Sequence, residues 1–110
     1  MKSLKVLVTD PIHEDGLARL RVFAEVEVAT DLSHEEVIEK VKGFDAMIVR
    51  SGTTVDKDVL DSGDRLKLVV RAGVGLDNID LDYAEEIGVE VENTPEASTY
   101  AVAELAFGLI

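Results

Sequence analysis

Five short apolar segments rich in β-branched residues recur along the chain, and their spacing limits the folds open to it. They occupy residues 4–8, 25–29, 45–49, 66–70 and 89–91, each bounded by polar residues or glycine. Segments of this length and composition are typical of strands. Their starts are about 21 residues apart, which leaves room for a turn, a helix and a second turn between successive strands. The pattern therefore predicts consecutive βαβ units that form a parallel sheet.

The segments between the strands carry signals of helix starts and ends. Asp10-Pro11 has the form of an N-cap followed by proline at the first helical position. Ser33–Glu36 has the spacing of a capping box, and Gly43 is the predicted end of that helix. A short third helix is predicted over residues 56–60, and a fourth over residues 80–88. The residues predicted to face the core from these helices are Ile12, Leu17, Leu20, Val37, Ile38, Val41, Leu81, Ala84 and Ile87.

Right-handed crossovers between parallel strands predict an α/β fold with helices on both faces of the sheet. We expect a flavodoxin-like (Rossmann-like) five-stranded sheet with strand order 2-1-3-4-5. Residues 1–96 contain this pattern and are predicted to form one domain. Residues 97–110 predict a further helix that is apolar nearly all round, with Glu104 as its only charge, as is typical of a fully buried helix. The sequence stops within this helix, so we expect either that a partner covers it or, as the favoured interpretation, that the sequence is a fragment.

The charge balance narrows the classes of partner. Lysine and arginine number 11 and aspartate and glutamate 23, so the formal net charge is −12. Nucleic-acid backbones and anionic membrane surfaces repel such a protein, and neither is an expected partner. No segment has the roughly 18 consecutive apolar residues of a membrane span, and the N-terminus has no signal-peptide layout. We therefore expect a soluble cytoplasmic protein, in which the absence of cysteine excludes disulfides and thiolate chemistry.

Polar residues at the predicted strand ends form the candidate site, because ligands of open parallel sheets bind outside the carboxyl ends of the strands. Arg50-Ser51 ends the third strand, Arg71 the fourth and Asn93 the fifth. If the third and fourth strands are neighbours, they lie about 4.8 Å apart, and the two guanidinium groups can converge on one carboxylate or phosphate. The alternative is that each arginine pairs with one of the many carboxylates of this acidic chain.

Two turns at this edge each allow two interpretations. Residues 71–78 contain a G-x-G after a strand and before a helix, but Asn78 stands where a dinucleotide fingerprint has its third glycine. The glycines either line up backbone amides toward an anion or simply allow positive φ in the turn. Residues 93–95 either place Asn93 in the same crevice or form a turn and helix start with Thr94 or Ser98 as the cap.

Other side chains indicate no chemistry. His13 and His34 fall in the first turns of predicted helices, share no metal spacing and are predicted to face solvent. No serine has the context of a nucleophile elbow, and adjacent glutamates are most simply solvated helix faces. No metal site is predicted.

Three motifs, in order along the chain, carry a family resemblance: residues 50–55, residues 71–80, and residues 93–95 with 101–104. The series resembles the N-terminal substrate-binding domain of the D-isomer-specific 2-hydroxyacid dehydrogenases. The resemblance implies a flavodoxin-like substrate domain, residues 1–96, facing an NAD-binding domain across a cleft. It also implies that residues 97–110 begin a helix that crosses to the cofactor domain, and that hydride passes between C2 of the substrate and the nicotinamide.

The resemblance also implies roles for individual residues toward a small anionic 2-hydroxy or 2-oxo acid. Arg50 and Ser51 would contact the carboxylate or phosphate end of the substrate. Arg71 would support the following loop or the phosphate, and Asn93 would line the cleft. The residues expected to offer backbone amides to the carboxylate are Gly73, Val74 and Gly75.

The sequence departs from the family in what it lacks. In family members a G-x-G-x-x-G fingerprint and the catalytic histidine, glutamate and arginine follow later, and they have no counterpart within these 110 residues. We therefore expect no catalytic or cofactor-binding residue in the chain, NAD in the full-length parent only, no activity alone, and a homodimer through residues 97–110 as one way to cover that helix. An alternative is a phospho-receiver module, but the aspartate it needs after the third strand is replaced by Arg50. Another is an excised folding module without activity.

Overall fold

Strands and helices alternate throughout the part of the chain that the structure describes. The computed structural model describes residues 4–12, 14–72 and 77–94. The elements are β1 (Leu4–Val8), α1 (Glu14–Phe23), β2 (Ala24–Val28), α2 (His34–Lys40), β3 (Ala46–Val49), α3 (Lys57–Ser62), β4 (Leu68–Ala72), α4 (Leu81–Ile87) and β5 (Glu90–Thr94). All strand pairs are parallel and the order is β2-β1-β3-β4-β5, which confirms the predicted fold and strand order.

Alternate residues of the central strands point to opposite faces of the sheet, and each face has its own core. The strand residues of one face are Leu7, Met47, Val49 and Val69, and they pack against Val37 of α2, Val59 and Leu60 of α3 and Ala84 of α4. The strand residues of the other face are Val6, Val8, Ala46, Ile48, Leu68 and Val70, and they pack against Leu17 and Leu20 of α1. Helices therefore cover both faces, as predicted.

The last two strands lie further along the chain than their apolar runs predict. β4 spans Leu68–Ala72 and β5 spans Glu90–Thr94, so both extend past the apolar residues into the polar motifs. The reason is that backbone pairing continues as long as a neighbouring strand offers partners, whatever the side chains. Arg71 consequently sits inside the sheet, opposite Val49 of β3 and Asn93 of β5.

The capping signals in the sequence predict the starts of α2, α3 and α4 correctly. Ser33 and Glu36 form the predicted capping box at the start of α2, while Asp56 and Asp80 are the N-caps of α3 and α4. The prediction that Asp10 caps the first helix is wrong, because α1 begins at Glu14 and the Asp10 carboxylate accepts the backbone N–H of a residue 40 positions away.

The predicted core face of α4 is correct only at Ala84. Ala84 is fully buried, but Leu81 and Ile87 are 43% and 41% exposed. α4 packs between α3 and the edge strand β5, and Ala84 and Tyr83 make that contact, which leaves Leu81 and Ile87 on the outer side. In the described ranges, no helix is long and apolar enough to cross a membrane. Residues 97–110, with their predicted helix, and His13 lie outside the described residues.

Candidate anion-binding site at the carboxyl edge of the sheet

The carboxyl ends of four adjacent strands bring the predicted site residues to one edge. β1 leads into Thr9 and Asp10, and β3 leads into Arg50 and Ser51. On β4, which lies between β3 and β5, Arg71 is in register with Asn93 of β5. Four of the seven predicted site residues are thus placed at this edge. The other three, Gly73, Val74 and Gly75, lie outside the described residues.

The loop that joins β3 to α3, residues 50–56, is held from the β1 side by Asp10 and Thr9. The backbone N–H of Arg50 donates to Asp10 Oδ2 at 2.7 Å, and Asp10 itself is only 9% exposed. Thr53 Oγ1 donates to Thr9 Oγ1 at 2.9 Å, in a buried contact. A Cβ at Gly52 would lie 2.7 Å from Asp10 Oδ1, so the loop passes over this carboxylate at a distance that only glycine permits.

The same loop is held from the β4 side by Asn78. Its Nδ2 donates to the carbonyl oxygen of Arg50 at 2.7 Å and to that of Thr53 at 2.6 Å. The backbone continues the attachment, because Val55 N–H donates to Asn78 O at 2.8 Å and Asp80 N–H donates to Val55 O at 2.9 Å. The β3–α3 loop is therefore fixed on both sides, by side chains from the segments that follow β1 and precede α4.

The two arginines make different described contacts. Arg50 is exposed, and its Nη1 donates to Pro11 O at 3.4 Å. Arg71 has a side chain that is 13% exposed, and its Nη1 reaches Asp77 Oδ1 at 3.5 Å, on a carboxylate that is 95% exposed. β3 and β4 are neighbours, but these two contacts are directed to different loops. Convergence on one anion stays a prediction.

The acid–base groups with a shifted pKa that matter here lie on α3 and α4, and one of them, Asp56, is the last residue of the β3–α3 loop. Burial opposes ionisation of Asp56, but hydrogen bonds from His34 and from Val59 N–H outweigh it and lower the pKa of its carboxyl. The Asp61 carboxylate, which accepts the phenol of Tyr83, raises the pKa of Tyr83 to about 12. His34 is exposed, as predicted, and its Nε2 lies 2.8 Å from Asp56 Oδ2. A search of the described residues finds no group of histidines and carboxylates that could hold a metal ion.

The N-terminus of α4 does not fit the pyrophosphate of a dinucleotide. In a dinucleotide site, free N–H groups at the helix N-terminus receive the pyrophosphate. Here Asp80 Oδ1 accepts Tyr83 N–H at 3.0 Å, and Asp82 adds a second carboxylate in the first turn of α4. A pyrophosphate at this helix would meet negative charge, and Asn78 is already engaged with the β3–α3 loop.

The sequence matches the model of the family described as "D-isomer specific 2-hydroxyacid dehydrogenase, catalytic domain" over residues 6–108. The chain belongs to this family. It is 52% identical over 107 residues to D-3-phosphoglycerate dehydrogenase of Methanocaldococcus jannaschii, covering 97% of this chain and 20% of that protein. It is 41% identical over 111 residues to hydroxypyruvate reductase of Thermotoga maritima, covering 100% of this chain and 36% of that protein.

Solved structures agree with this membership of the 2-hydroxyacid dehydrogenases. The chain matches an NAD+-bound 3-phosphoglycerate dehydrogenase of Entamoeba histolytica with a TM-score of 0.76 and 33% identity, covering 84% of this chain and 33% of that one. A protein of Pyrococcus horikoshii matches with a TM-score of 0.81 and 32% identity, covering 84% of this chain and 28% of that one. The predicted family is confirmed, and the chain spans about a fifth to a third of the length of these relatives.

Within this dehydrogenase domain, the sequence pattern missed the residues that hold the β3–α3 loop. The sequence predicts Asp10 as a helix cap and marks Asn78 only as a departure from a glycine fingerprint. A signal for Asp10 was present, because the predicted order 2-1-3 already places the end of the first strand beside Arg50. Asn78 gave no such signal, since a turn residue's hydrogen-bond partners depend on tertiary placement.

Proposed function

We propose that this chain is the substrate-binding half of an NAD-dependent 2-hydroxyacid dehydrogenase whose substrate is 3-phosphoglycerate, oxidised to 3-phosphohydroxypyruvate on the route to serine. The observation that carries the proposal is the β3–α3 loop, which Asp10 and Asn78 hold at the carboxyl edge with Arg50 exposed on it. Relatives named D-3-phosphoglycerate dehydrogenase, among them the Methanocaldococcus protein at 52% identity, support the choice of substrate.

The chain's own part in the reaction is to bind and orient an anion. Arg50 offers a guanidinium to a carboxylate or phosphate, a charge-assisted pairing worth about 1.5–3 kcal/mol. Arg71 of β4 is in register with Asn93 of β5, and in this proposal both line the substrate cleft. The remaining members of the proposed substrate site are Ser51, Gly73, Val74 and Gly75.

Removing hydride and a proton from a 2-hydroxy acid requires a nicotinamide and a positioned base. The described residues offer neither, so NAD belongs in this proposal to the rest of the parent enzyme. Residues 1–96 form the substrate domain, and residues 97–110 begin the helix that joins it to the cofactor domain or pairs two copies. The proposed location is the cytoplasm, although two relatives in Arabidopsis thaliana are named chloroplastic.

A chimera tests the proposal directly. The matching segment of the Methanocaldococcus enzyme is replaced by this chain, and NADH formation is measured with 3-phosphoglycerate, D-glycerate and D-lactate. We expect 3-phosphoglycerate to have the highest kcat/KM, at least tenfold above D-glycerate, because only it offers a phosphate to Arg50. Equal turnover of D-glycerate or D-lactate contradicts the choice of substrate. A folded chimera without activity on any of the three contradicts the proposal as a whole.

The chain alone provides a second test. Mixed with NADH and 3-phosphohydroxypyruvate, it is expected to leave the absorbance of NADH at its starting value, since this proposal assigns the base and the cofactor site to the rest of the parent enzyme. Oxidation of NADH above a no-protein blank would show that the chain is catalytically complete.

A further inference from the structure

We propose that the outer edge of the sheet along β2 is a docking surface for an extended, basic segment of a partner protein, which adds there as a further strand. The inference goes beyond the proposed function and does not rest on it, because β2 is the first strand of the spatial order and carries none of the candidate site residues. β5, the other edge strand, leads into residues outside the described ranges, whereas β2 has described residues at both ends.

The first step is the unpaired backbone of β2. Within the described ranges its one neighbour is β1, and just past its end Ala29 N–H donates to Val8 O at 2.9 Å. Because consecutive residues of a strand direct their N–H and C=O groups to opposite sides, the odd-numbered residues of β2 face β1 as Ala29 does. The N–H and C=O groups of Val26 and Val28 therefore face away from the sheet, where they are a template for another strand.

The second step is which side chains an added strand would meet. Glu27 is in register with Leu7, so it and Glu25 stand on the face of the sheet that α2 covers. Val28 is in register with Val8, on the face that α1 covers, and is 40% exposed. The edge therefore offers carboxylates to one side of an added strand and an apolar side chain to the other.

The third step is a groove beside this edge, between β2 and α2, with a volume of about 560 Å³. Ala29 and Leu32 line it and also pack against the core below. Lys40 is the one cation of the lining, and it pairs with Glu27 of β2. The acidic residues of the lining are Glu35, Glu36 and Glu39. The groove is thus apolar at Ala29 and Leu32 and negatively charged around them, which favours a partner with both apolar and basic side chains.

Charge decides between a second copy of this chain and a basic partner. Glu25 and Glu27 stand on the same face, so two β2 edges laid side by side would bring the glutamates of one copy next to those of the other. Like charges that face each other across a sheet are destabilising, and the net charge of −12 adds to the repulsion. A segment with lysine or arginine at alternate positions and apolar residues between them matches both faces, in the manner of other strand-addition complexes.

The experiment titrates the 15N-labelled 110-residue chain with a synthetic peptide of alternating lysine and valine and follows the exchange of its amides with deuterium. We expect the N–H groups of Val26 and Val28 to shift and to exchange at least about tenfold more slowly in the complex, because they gain acceptors on the added strand. The N–H of Ala29 already donates to Val8, so we expect its exchange rate to stay the same.

Two further peptides and two variants control for the cause. A peptide with its lysines and valines in two blocks keeps the charge without the alternation, and alternating glutamate and valine reverses the charge. Neither is expected to slow the exchange of these amides. Glu25→Lys should weaken binding at least about fivefold, because it puts like charges opposite each other. Glu90→Lys makes the same change on β5, about 19 Å away, and should have less than about a twofold effect at 0.15 M salt, where the Debye length is about 8 Å.

Slower exchange at both Val26 and Val28, weakened by Glu25→Lys and not by Glu90→Lys, supports the inference. Binding that leaves this exchange unchanged overturns it, as does equal binding of the block peptide or an equal loss in the two variants. A dimer in solution whose Val26 and Val28 amides are protected before peptide is added would mean that a second copy occupies the edge. No response up to about 1 mM peptide also overturns the inference. Both variants replace exposed side chains, and the wild-type exchange rates are read without them.

Discussion

At the residue scale, the site depends on contacts between groups far apart in the chain. The position of Arg50 and Asn93 at the carboxyl edge of the sheet could be predicted from sequence, because Arg50 directly follows one apolar run and Asn93 lies two residues past another. The roles of Asp10 and Asn78 could not, because each is defined by a backbone partner in another segment, 40 and 28 residues away. Local patterns carry no information about such partners.

Gly52→Ala tests the close approach of the β3–α3 loop to Asp10. The new methyl group would meet Asp10 Oδ1 at 2.7 Å, and this oxygen belongs to the carboxylate that accepts Arg50 N–H. We expect a loss of about 1–3 kcal/mol in the free energy of unfolding, as in other overpacked sites, measured by urea denaturation.

A double-mutant cycle with Asp10→Ala controls for the cause of that loss. With the carboxylate removed, the methyl group of the alanine at position 52 loses the three atoms nearest to it, so Gly52→Ala should cost clearly less in this background. Equal costs in both backgrounds would mean that the clash with Asp10 is not the reason.

Tyr83 gives a titration that reports its bond to Asp61. The carboxylate acceptor, together with burial and nearby negative charge, raises the pKa of Tyr83 to about 12. Because the pKa of Tyr83 is higher in the folded than in the unfolded chain, the protonated phenol stabilises the fold at pH values below the unfolded pKa of about 10. This stabilisation is lost as pH rises through about 12. In a Tyr100→Phe background, phenolate absorbance should show this late titration, and Asp61→Asn should bring the pKa of Tyr83 down toward 10. An unchanged titration in Asp61→Asn would disprove the assignment.

At the element scale, features that depend on neighbouring residues in sequence could be predicted, and features that depend on tertiary packing could not. The capping box of α2 could be predicted because Ser33 and Glu36 are three residues apart and need nothing else. The burial of α4 could not, because its outer side is decided by α3 and β5, which pack against Ala84 and Tyr83. The lengths of β4 and β5 were also set by their pairing partners, not by their apolar residues.

Asp56 joins two elements, as the N-cap of α3 and the partner of His34 at the start of α2. Asp56→Ala removes both contacts and should cost about 0.5–2 kcal/mol of unfolding free energy, mostly from the cap. Asp56→Ser keeps a capping oxygen and loses only the exposed ion pair, so it should cost within about 1 kcal/mol of wild type. Urea denaturation at pH 7 measures both.

The pH dependence of the same variants has a definite sign. Burial raises the pKa of Asp56, but the hydrogen bonds outweigh burial and the pKa is lowered in the folded state. The ionised carboxylate therefore stabilises the fold at pH values above the unfolded pKa of about 3.9. This stabilisation is lost as pH falls through the lowered folded-state pKa. Wild type should therefore lose more stability between pH 5 and pH 2 than Asp56→Ser does. Equal losses would place the acid sensitivity elsewhere.

At the scale of the whole molecule, topology was the most predictable property. Right-handed crossovers and short connections leave few ways to order five parallel strands, and the order β2-β1-β3-β4-β5 is one of them. The family could also be predicted, from three motifs that begin at or next to the carboxyl ends of β3, β4 and β5. The net charge is also a property of the whole molecule, because it is the sum over all residues and does not depend on any one contact.

The net charge of −12 predicts that added salt stabilises the fold. At 10 mM ionic strength the Debye length is about 30 Å, longer than the 12.3 Å radius of gyration, so carboxylates across the whole molecule repel one another. At 0.15 M the Debye length is about 8 Å and most of this repulsion is screened. We expect a gain of about 1 kcal/mol, which corresponds to a rise in Tm of roughly 4–8 °C for a domain of this size.

Calorimetry in NaCl and in KCl at matched ionic strength measures this gain and separates screening from specific ion effects. Glu85→Lys is the matched variant, because Glu85 is exposed and its neighbour Glu86 is also acidic. It should raise Tm at 10 mM and gain less from salt than wild type, since part of the repulsion is already removed. A Tm that falls with salt would mean that ion pairs such as Arg65–Asp45, 3.2 Å apart, outweigh the general repulsion.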